Sequence, residues 1–229
     1  MKNNYLLITL ILFALTNSCA QNQQKVIAIN VLLTLPEDVA REAIQLNGAI
    51  LKNHPKNITL NDNQIPHITL LQCYVQETNL PKIEKLLLGL YKTIKNDTLL
   101  VDELQYKKDK TESFASMGIE KSKSLMALHK KTISLLEPYI LDNGSQESYV
   151  QNADGTPIDE FTITYVPKFV SAHSFENYNP HISLGVAKTS LLDSLAEHNF
   201  RTMKFQAASI SVYQLGAFGT AQKLLWESE

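Results

Sequence analysis

Pro66-His67-Ile68-Thr69-Leu70 recurs later in the chain as Pro180-His181-Ile182-Ser183-Leu184. The 229 residues hold only six histidines, and two of them stand in this same setting. Successive side chains of a β-strand point to opposite faces. On a strand, His67 and Thr69 therefore share one face while Ile68 and Leu70 share the other. The second copy places His181 with Ser183 and Ile182 with Leu184 in the same way. Each copy offers an imidazole beside a hydroxyl, anchored from behind by two apolar residues. Two copies facing each other would make a pocket with two imidazoles and two hydroxyls.

Outward from the motifs, the chain reads as alternating strands and helices. Val26 to Leu35 is apolar enough for a strand, and Pro36 starts a helix carrying Val39, Ala43, Ile44, Ile50 and Leu51 at helical spacing. The first motif opens a strand over about 65–75. A helix is expected from Leu80 to Lys95, then strands near 98–106 and 113–120 and a helix over 122–141. Residues 142–160 form the longest loop, rich in turn signals such as Asn143-Gly144-Ser145 and Asp154-Gly155-Thr156-Pro157. It reads equally as a lid or as a mobile surface insertion. Phe161 to Tyr165 suggests a short strand. The second motif opens a strand over 181–187, followed by a helix over 191–197 and strands over 205–215 and 223–227. This order suggests two similar α+β halves, each holding one motif.

Composition bounds the remaining possibilities. With 44% hydrophobic and 19% charged residues, the chain can bury an ordinary core. A formal net charge of -2 excludes the strong basic excess expected of a protein that lives on long nucleic acid. Residues 1–19 read as an export segment: Lys2, an apolar run from Tyr5 to Leu15 too short to span a bilayer, then Ser18-Cys19. Cys19 in that place is like the lipid-attachment cysteine of a bacterial lipoprotein, although Thr16 stands where Leu is usual. An ordinary cleaved signal peptide is the other reading. Residues 20–229 are then a single exported domain, attached to a membrane only through Cys19. Cys73 is left without a partner for a disulfide and reads as a small buried apolar residue.

Two histidines suit phosphoryl chemistry because imidazole titrates near neutrality. One ring accepts a proton from the attacking water or hydroxyl while the other protonates the leaving oxygen. Hydroxyls at Thr69 and Ser183 suit the non-bridging phosphate oxygens. With one His-x-Thr/Ser motif per half, the chain resembles the 2H phosphoesterase superfamily, which includes LigT-like RNA 2′,3′-cyclic phosphodiesterases and the so-called 2′-5′ RNA ligases. The resemblance implies a bilobal, duplicated α+β fold, with two antiparallel sheets flanking a central cleft and helices outside. It implies His67 and His181 as the catalytic pair, Thr69 and Ser183 as phosphate-binding groups, and neither metal nor cofactor. The implied ligand is a 2′,3′-cyclic phosphate end of RNA or of a nucleotide, or a related small phosphodiester, bound by a monomer. A non-catalytic module that binds a phosphorylated ligand in the same cleft is the alternative. No arginine follows either motif, as one does in many relatives, and Arg41 and Arg201 are the only arginines in the chain. Backbone N–H groups or Lys107, Lys108, Lys168 and Lys188 would then meet the phosphate charge.

The other histidines are expected elsewhere. His129 lies beside Lys130 and Lys131 and reads as a surface residue. His54 and His198 sit at helix ends or in loops, and His173 lies on the approach to the second motif. No His-x-x-x-His or Cys-x-x-Cys pattern suggests zinc. Tyr74, Phe114, Tyr165 and Tyr178 are candidates for stacking on a base, though aromatic strand residues more often belong to the core.

Overall fold

The computed structural model describes residues 24–228, so the expected export segment and Cys19 lie outside the described residues. Eight strands are described: β1 (Val26–Thr34), β2 (His67–Gln76), β3 (Leu99–Gln105), β4 (Glu112–Ile119), β5 (His181–Lys188), β6 (Met203–Phe205), β7 (Ser209–Leu215) and β8 (Ala221–Glu227). The α-helices are α1 (Glu37–Asn53), α2 (Leu80–Leu87), α3 (Lys123–Leu136), α4 (Glu160–Tyr165), α5 (Phe169–His173) and α6 (Thr189–His198). The strands form two four-stranded sheets, ordered β2-β1-β7-β8 and β5-β4-β3-β6, with antiparallel neighbours throughout. This is the expected α+β architecture, with a motif strand on the edge of each sheet.

The two sheets do not correspond to the two halves of the chain. The first takes β1 and β2 from the beginning and β7 and β8 from the end, while the second is contiguous from β3 to β6. What repeats is a smaller unit, β1-α1-β2 and β4-α3-β5. Its helices are exchanged: α1 packs on β5 and α3 packs on β2.

Sequence accounts for both helices. Pro36, extended, precedes α1, and Glu37 and Asp38 in its first turn complement the helix dipole. Val39, Ala43, Leu46, Asn47 and Ile50 form its buried face. Ser122 caps α3 by accepting the Leu125 N–H, and Leu125, Leu128, His129, Thr132, Ile133 and Leu136 are buried at helical spacing.

Four local readings are corrected. The strand expected over 205–215 is two, β6 ending at Phe205 and β7 starting at Ser209, and they belong to different sheets. Phe161–Tyr165 is a helix, because Asp159 caps it and accepts from both the N–H and the hydroxyl of Thr162. The helix expected to run to Lys95 stops at Leu87; Gly89 beyond it takes φ +88, and a single 3-10 turn follows at Tyr91–Thr93. His129 is not on the surface but fully buried.

The 142–160 segment is neither a free lid nor a loose insertion. Gln146 clasps the backbone of Ile158 through both ends of its amide, and Val150 donates to the Leu215 carbonyl. Tyr149 meets Tyr74 edge to face, with ring centroids 5.9 Å apart. With Ala28, Ile158, Val166, Leu215 and Ala217 they form a second small core over one end of the first sheet. The segment is packed at Ser148-Tyr149 and at Ile158, with an exposed turn over 153–157 between them.

Candidate active site

The expected alternation is found in both motifs. Ile68, Leu70, Ile182 and Leu184 are fully buried in the main core, whereas His67, Thr69, His181 and Ser183 are only partly covered. Burying each of the four apolar side chains contributes about 1.5–3 kcal/mol, enough to hold either strand in register. The edge strands β2 and β5 lie against each other across the gap between the sheets. A charge on His181 opposes a charge on His67.

The two copies are matched beyond their spelling. Thr34 pairs with His67 and Gly118 with His181; Leu32 pairs with Thr69 and Ser116 with Ser183. Each ladder then slips by one residue, at Leu70 and at Leu184, so the fifth residue of each motif is the extra residue of a β-bulge. The bulge lets two consecutive residues face the core, which is why Leu70-Leu71 and Leu184-Gly185 are both buried.

Bulges and edge strands leave backbone groups without a ladder partner. Here each bulge carbonyl is met by a buried side chain from the exchanged helix. His129 of α3 donates through Nδ1 to the Leu70 carbonyl, 2.8 Å, and Asn47 of α1 donates to the Leu184 carbonyl, 2.8 Å. His129 also accepts the Phe175 N–H through Nε2 and stacks on Tyr178 at 3.7 Å, while the Tyr178 hydroxyl donates to the Thr69 carbonyl. The first motif is thereby tied to the segment that leads into the second. Burial lowers the His129 pKa, consistent with a ring that donates once and accepts once. Tyr178 is therefore part of the frame, and Tyr74 belongs to the small core.

The prolines have a role in the site. Proline fixes its own φ and keeps the residue before it extended. The carbonyl two residues before each histidine is thus turned to its ring: Ile65 O accepts from Nδ1 of His67 at 2.8 Å, and Asn179 O from Nδ1 of His181 at 2.7 Å. Both neutral rings carry their proton on Nδ1 and a lone pair on Nε2. Asn179 is steadied by Gln105, whose amide lies over Gly118, where an added Cβ would come within 2.5 Å of it. Burial draws the His67 pKa down to about 4, opposed by the Ile65 bond and helped by repulsion from His181. Burial lowers His181 as well, opposed by its bond to Asn179.

Around Nε2 the two rings differ. Nε2 of His67 accepts from the Asn30 amide at 3.0 Å, and the same Asn30 nitrogen donates to Thr69 Oγ1 at 3.1 Å. Nε2 of His181 has no hydrogen-bond partner among the described residues; Phe114 stands edge-on to its ring, with centroids 6.0 Å apart. Asn30 was not a candidate from sequence, since only the β1–β2 register carries it to His67.

None of the expected lysines is bonded through its side chain to a motif residue among the described residues. Lys107 and Lys108 lie in the β3–β4 turn, Lys188 ends β5, and Arg41 pairs with Glu37 on the surface of α1. Lys168, exposed in the turn after α4, is the one candidate whose segment packs on β2. His173 stacks on Tyr165 at 4.4 Å. Cys73 is a buried free thiol, its pKa pushed up to about 12 by burial, and takes no part in the site.

Fold and site together define an α+β protein with a two-histidine cleft between two antiparallel sheets. No protein-family model matches the chain, and no curated protein matches it. Among solved structures, the chain is similar to TT0787 of Thermus thermophilus, at 13% identity and a TM-score of 0.49, over 88% of this chain and 96% of that one. It is also similar to Usb1 of Kluyveromyces marxianus, at 12% identity and a TM-score of 0.37, over 87% of this chain and 98% of that one. The structure of that Usb1 with uridine monophosphate matches at 11% identity and a TM-score of 0.34, over 85% and 98%.

Proposed function

We propose that the protein is a phosphodiesterase that uses His67 and His181 as its acid–base pair, without a metal ion. The observation that carries this reading is the matched pair of edge strands. Each carries an imidazole and a hydroxyl on the strand face opposite its core residues, with Nδ1 committed to a backbone carbonyl. One ring takes a proton from water as its oxygen attacks phosphorus in line. The other gives a proton to the departing ester oxygen, leaving a phosphate monoester and a free hydroxyl. Thr69 and Ser183 donate to the non-bridging oxygens. A 2′,3′-cyclic phosphate on a nucleotide or RNA end, or a related small phosphodiester, is the proposed substrate, because its leaving oxygen needs only a proton. Export and a lipid anchor at Cys19 are part of the same proposal.

A panel of 2′,3′-cyclic nucleotides, cyclic-phosphate RNA ends and simple phosphodiesters tests it, assayed for product with and without EDTA. His67→Ala and His181→Ala are each expected to cost a hundredfold or more, on the order of one general acid–base contribution, with melting temperatures close to that of the unaltered protein. Turnover surviving in the folded double variant would overturn the assignment, and loss of turnover in EDTA would overturn the metal-free step. The second reading, a non-catalytic phosphate-binding module, is favoured by the absence of any arginine or lysine bonded into the gap among the described residues. It predicts binding of the same ligands without product.

A further inference from the structure

We infer that Asn30 is a positioning residue that makes the two histidines unequal, holding His67 as the proton acceptor and leaving His181 to supply the proton. This rests on the phosphodiesterase reading above.

The two motifs are equivalent in every respect that the backbone sets. Each histidine gives its Nδ1 proton to the carbonyl two residues earlier, each is followed by a hydroxyl, and each ladder bulges at the fifth residue. A pair of identical sites has no built-in acid and base. The register shows where the equivalence ends. One pair beyond the bulge, Asn30 faces Gln72 in the first sheet, and the corresponding pair in the second sheet is Phe114 and Val186. A carboxamide therefore stands beside His67 where a phenyl ring stands beside His181.

That carboxamide discriminates between protonation states. Its nitrogen donates to Nε2 of His67, a bond that exists only while Nε2 holds a lone pair. The resting His67 is thus held neutral, and its lone pair becomes free for an incoming water when the amide turns away. At His181 no donor occupies Nε2, and only burial opposes a proton there. The same amide also accommodates the proton once it has moved. Asn30 is fully buried, and its Oδ1 has no hydrogen-bond partner. When water gives its proton to Nε2, turning the carboxamide over brings Oδ1 to face both Nε2–H and the Thr69 hydroxyl as an acceptor. The turn carries Nδ2 to the place that Oδ1 leaves. On the residue directly opposite, Gln72 Oε1 is likewise buried without a partner.

The titratable group facing His67 across the gap is His181 on β5, which disfavours a second charge there. On the same sheet, Glu227 of β8 accepts from Ser209, which is bonded to Thr34, the residue paired with His67, and Tyr213 of β7 is paired with Asn30. β1 presents Thr34, Leu32 and Asn30, all uncharged. His129 of α3 is committed to the Leu70 carbonyl and the Phe175 N–H. Lys168 and His173 lie in the segment after α4 that packs on β2; Lys168 is exposed and His173 stacks on Tyr165.

The test uses the full chain labelled with 15N-histidine. In the unaltered protein at neutral pH, His67 is expected to show a protonated Nδ1 and an unprotonated Nε2. Asn30→Asp replaces the donor with an acceptor, and should raise the His67 titration midpoint by at least one pH unit while moving that of His181 by less. With substrate, the acid limb of the kcat/KM profile should rise by the same amount and the basic limb should stay. A basic limb that moves instead would make His67 the acid. An unmoved His67 midpoint in folded Asn30→Asp, or an Nε2–H tautomer in the unaltered protein, would overturn the inference outright. If Asn30→Asp does not fold, Asn30→Ser serves in its place, with a smaller rise expected. The titration needs no substrate. Failure of every phosphodiester tested would therefore count against the proposed function alone.

Discussion

The neutrality of His67 has a measurable consequence for stability. Its folded pKa lies near 4, whereas the unfolded chain takes up that proton near 6.5. Between those values the unfolded state binds more protons than the folded one, so stability falls as pH drops from 6.5 towards 4 and is level above 6.5. The full shift corresponds to roughly 3 kcal/mol, and partial opening of the ring to the gap lowers the expectation to about 2 kcal/mol. Urea denaturation at pH 7 and pH 4.5 should show the unaltered protein losing about that much more than His67→Asn. Equal losses would mean that His67 is not held neutral. His129 titrates in both proteins and cancels. At this scale the pentapeptides were legible because alternation is local: five residues suffice to say which side chains share a face. Asn30 was not. Its meeting with His67 depends on a pairing between strands 37 positions apart and on a bulge, and neither leaves a mark in the residues around Asn30.

Each motif strand depends on one buried polar residue of a helix from the other repeat. Without His129 the Leu70 carbonyl is buried unpaired, and without Asn47 the Leu184 carbonyl is. Asn47 also donates to the Ile58 carbonyl and accepts the Leu60 N–H, so it secures the loop after α1 as well. An unsatisfied buried group costs about 1–3 kcal/mol. His129→Leu strands the Leu70 carbonyl and the part-exposed Phe175 N–H and should lose about 2 kcal/mol in chemical denaturation; Asn47→Leu strands the Leu184 and Ile58 carbonyls and the Leu60 N–H and should lose about 4 kcal/mol. A loss below about 0.5 kcal/mol in either variant would show that the bulge carbonyls find water instead. The sequence could not disclose this use of His129: two neighbouring lysines suggest a wet face, while the acceptor that claims the ring lies 59 positions away. The misread strand at Phe161–Tyr165 has a similar cause. Alternating aromatic and β-branched residues favour a strand locally, but Asp159 and the β7–β8 turn decide otherwise. Asp159 caps α4 and also accepts the Phe218 N–H at 2.6 Å, where φ is +56.

The exchange of helices decides how the whole molecule unfolds. The second sheet comes from one uninterrupted stretch, β3 to β6, and by its strand order alone it looks able to fold by itself. It lacks what covers β5. The outer edge of β5 is bonded by Asn47 and Asn57, and its end by His54, all from α1 and the loop that follows. Ile182 and Leu184 share a continuous core with Val39, Ala43, Leu46 and Ile50 of α1. Conversely, α3, inside that stretch, gives part of its buried face to β2. A fragment spanning residues 96–206 would leave β5 as a bare edge and α3 with an uncovered apolar stripe. It should show no cooperative transition in urea and should bind a dye for exposed apolar surface. The complete chain, with one core running through both sheets, should lose its signals from both in a single transition when followed by circular dichroism and by Trp226 fluorescence. A fragment that melts cooperatively, or two separated transitions in the complete chain, would show that the exchanged helices do not couple the sheets. That coupling also bears on the site. His67 belongs to one sheet and His181 to the other, so the gap between them is kept by α1, by α3 and by the His129–Tyr178 tie rather than by either sheet alone. Dimension and chemistry are joined there, because the repulsion between the rings and the reach of both to one phosphate depend on the same spacing.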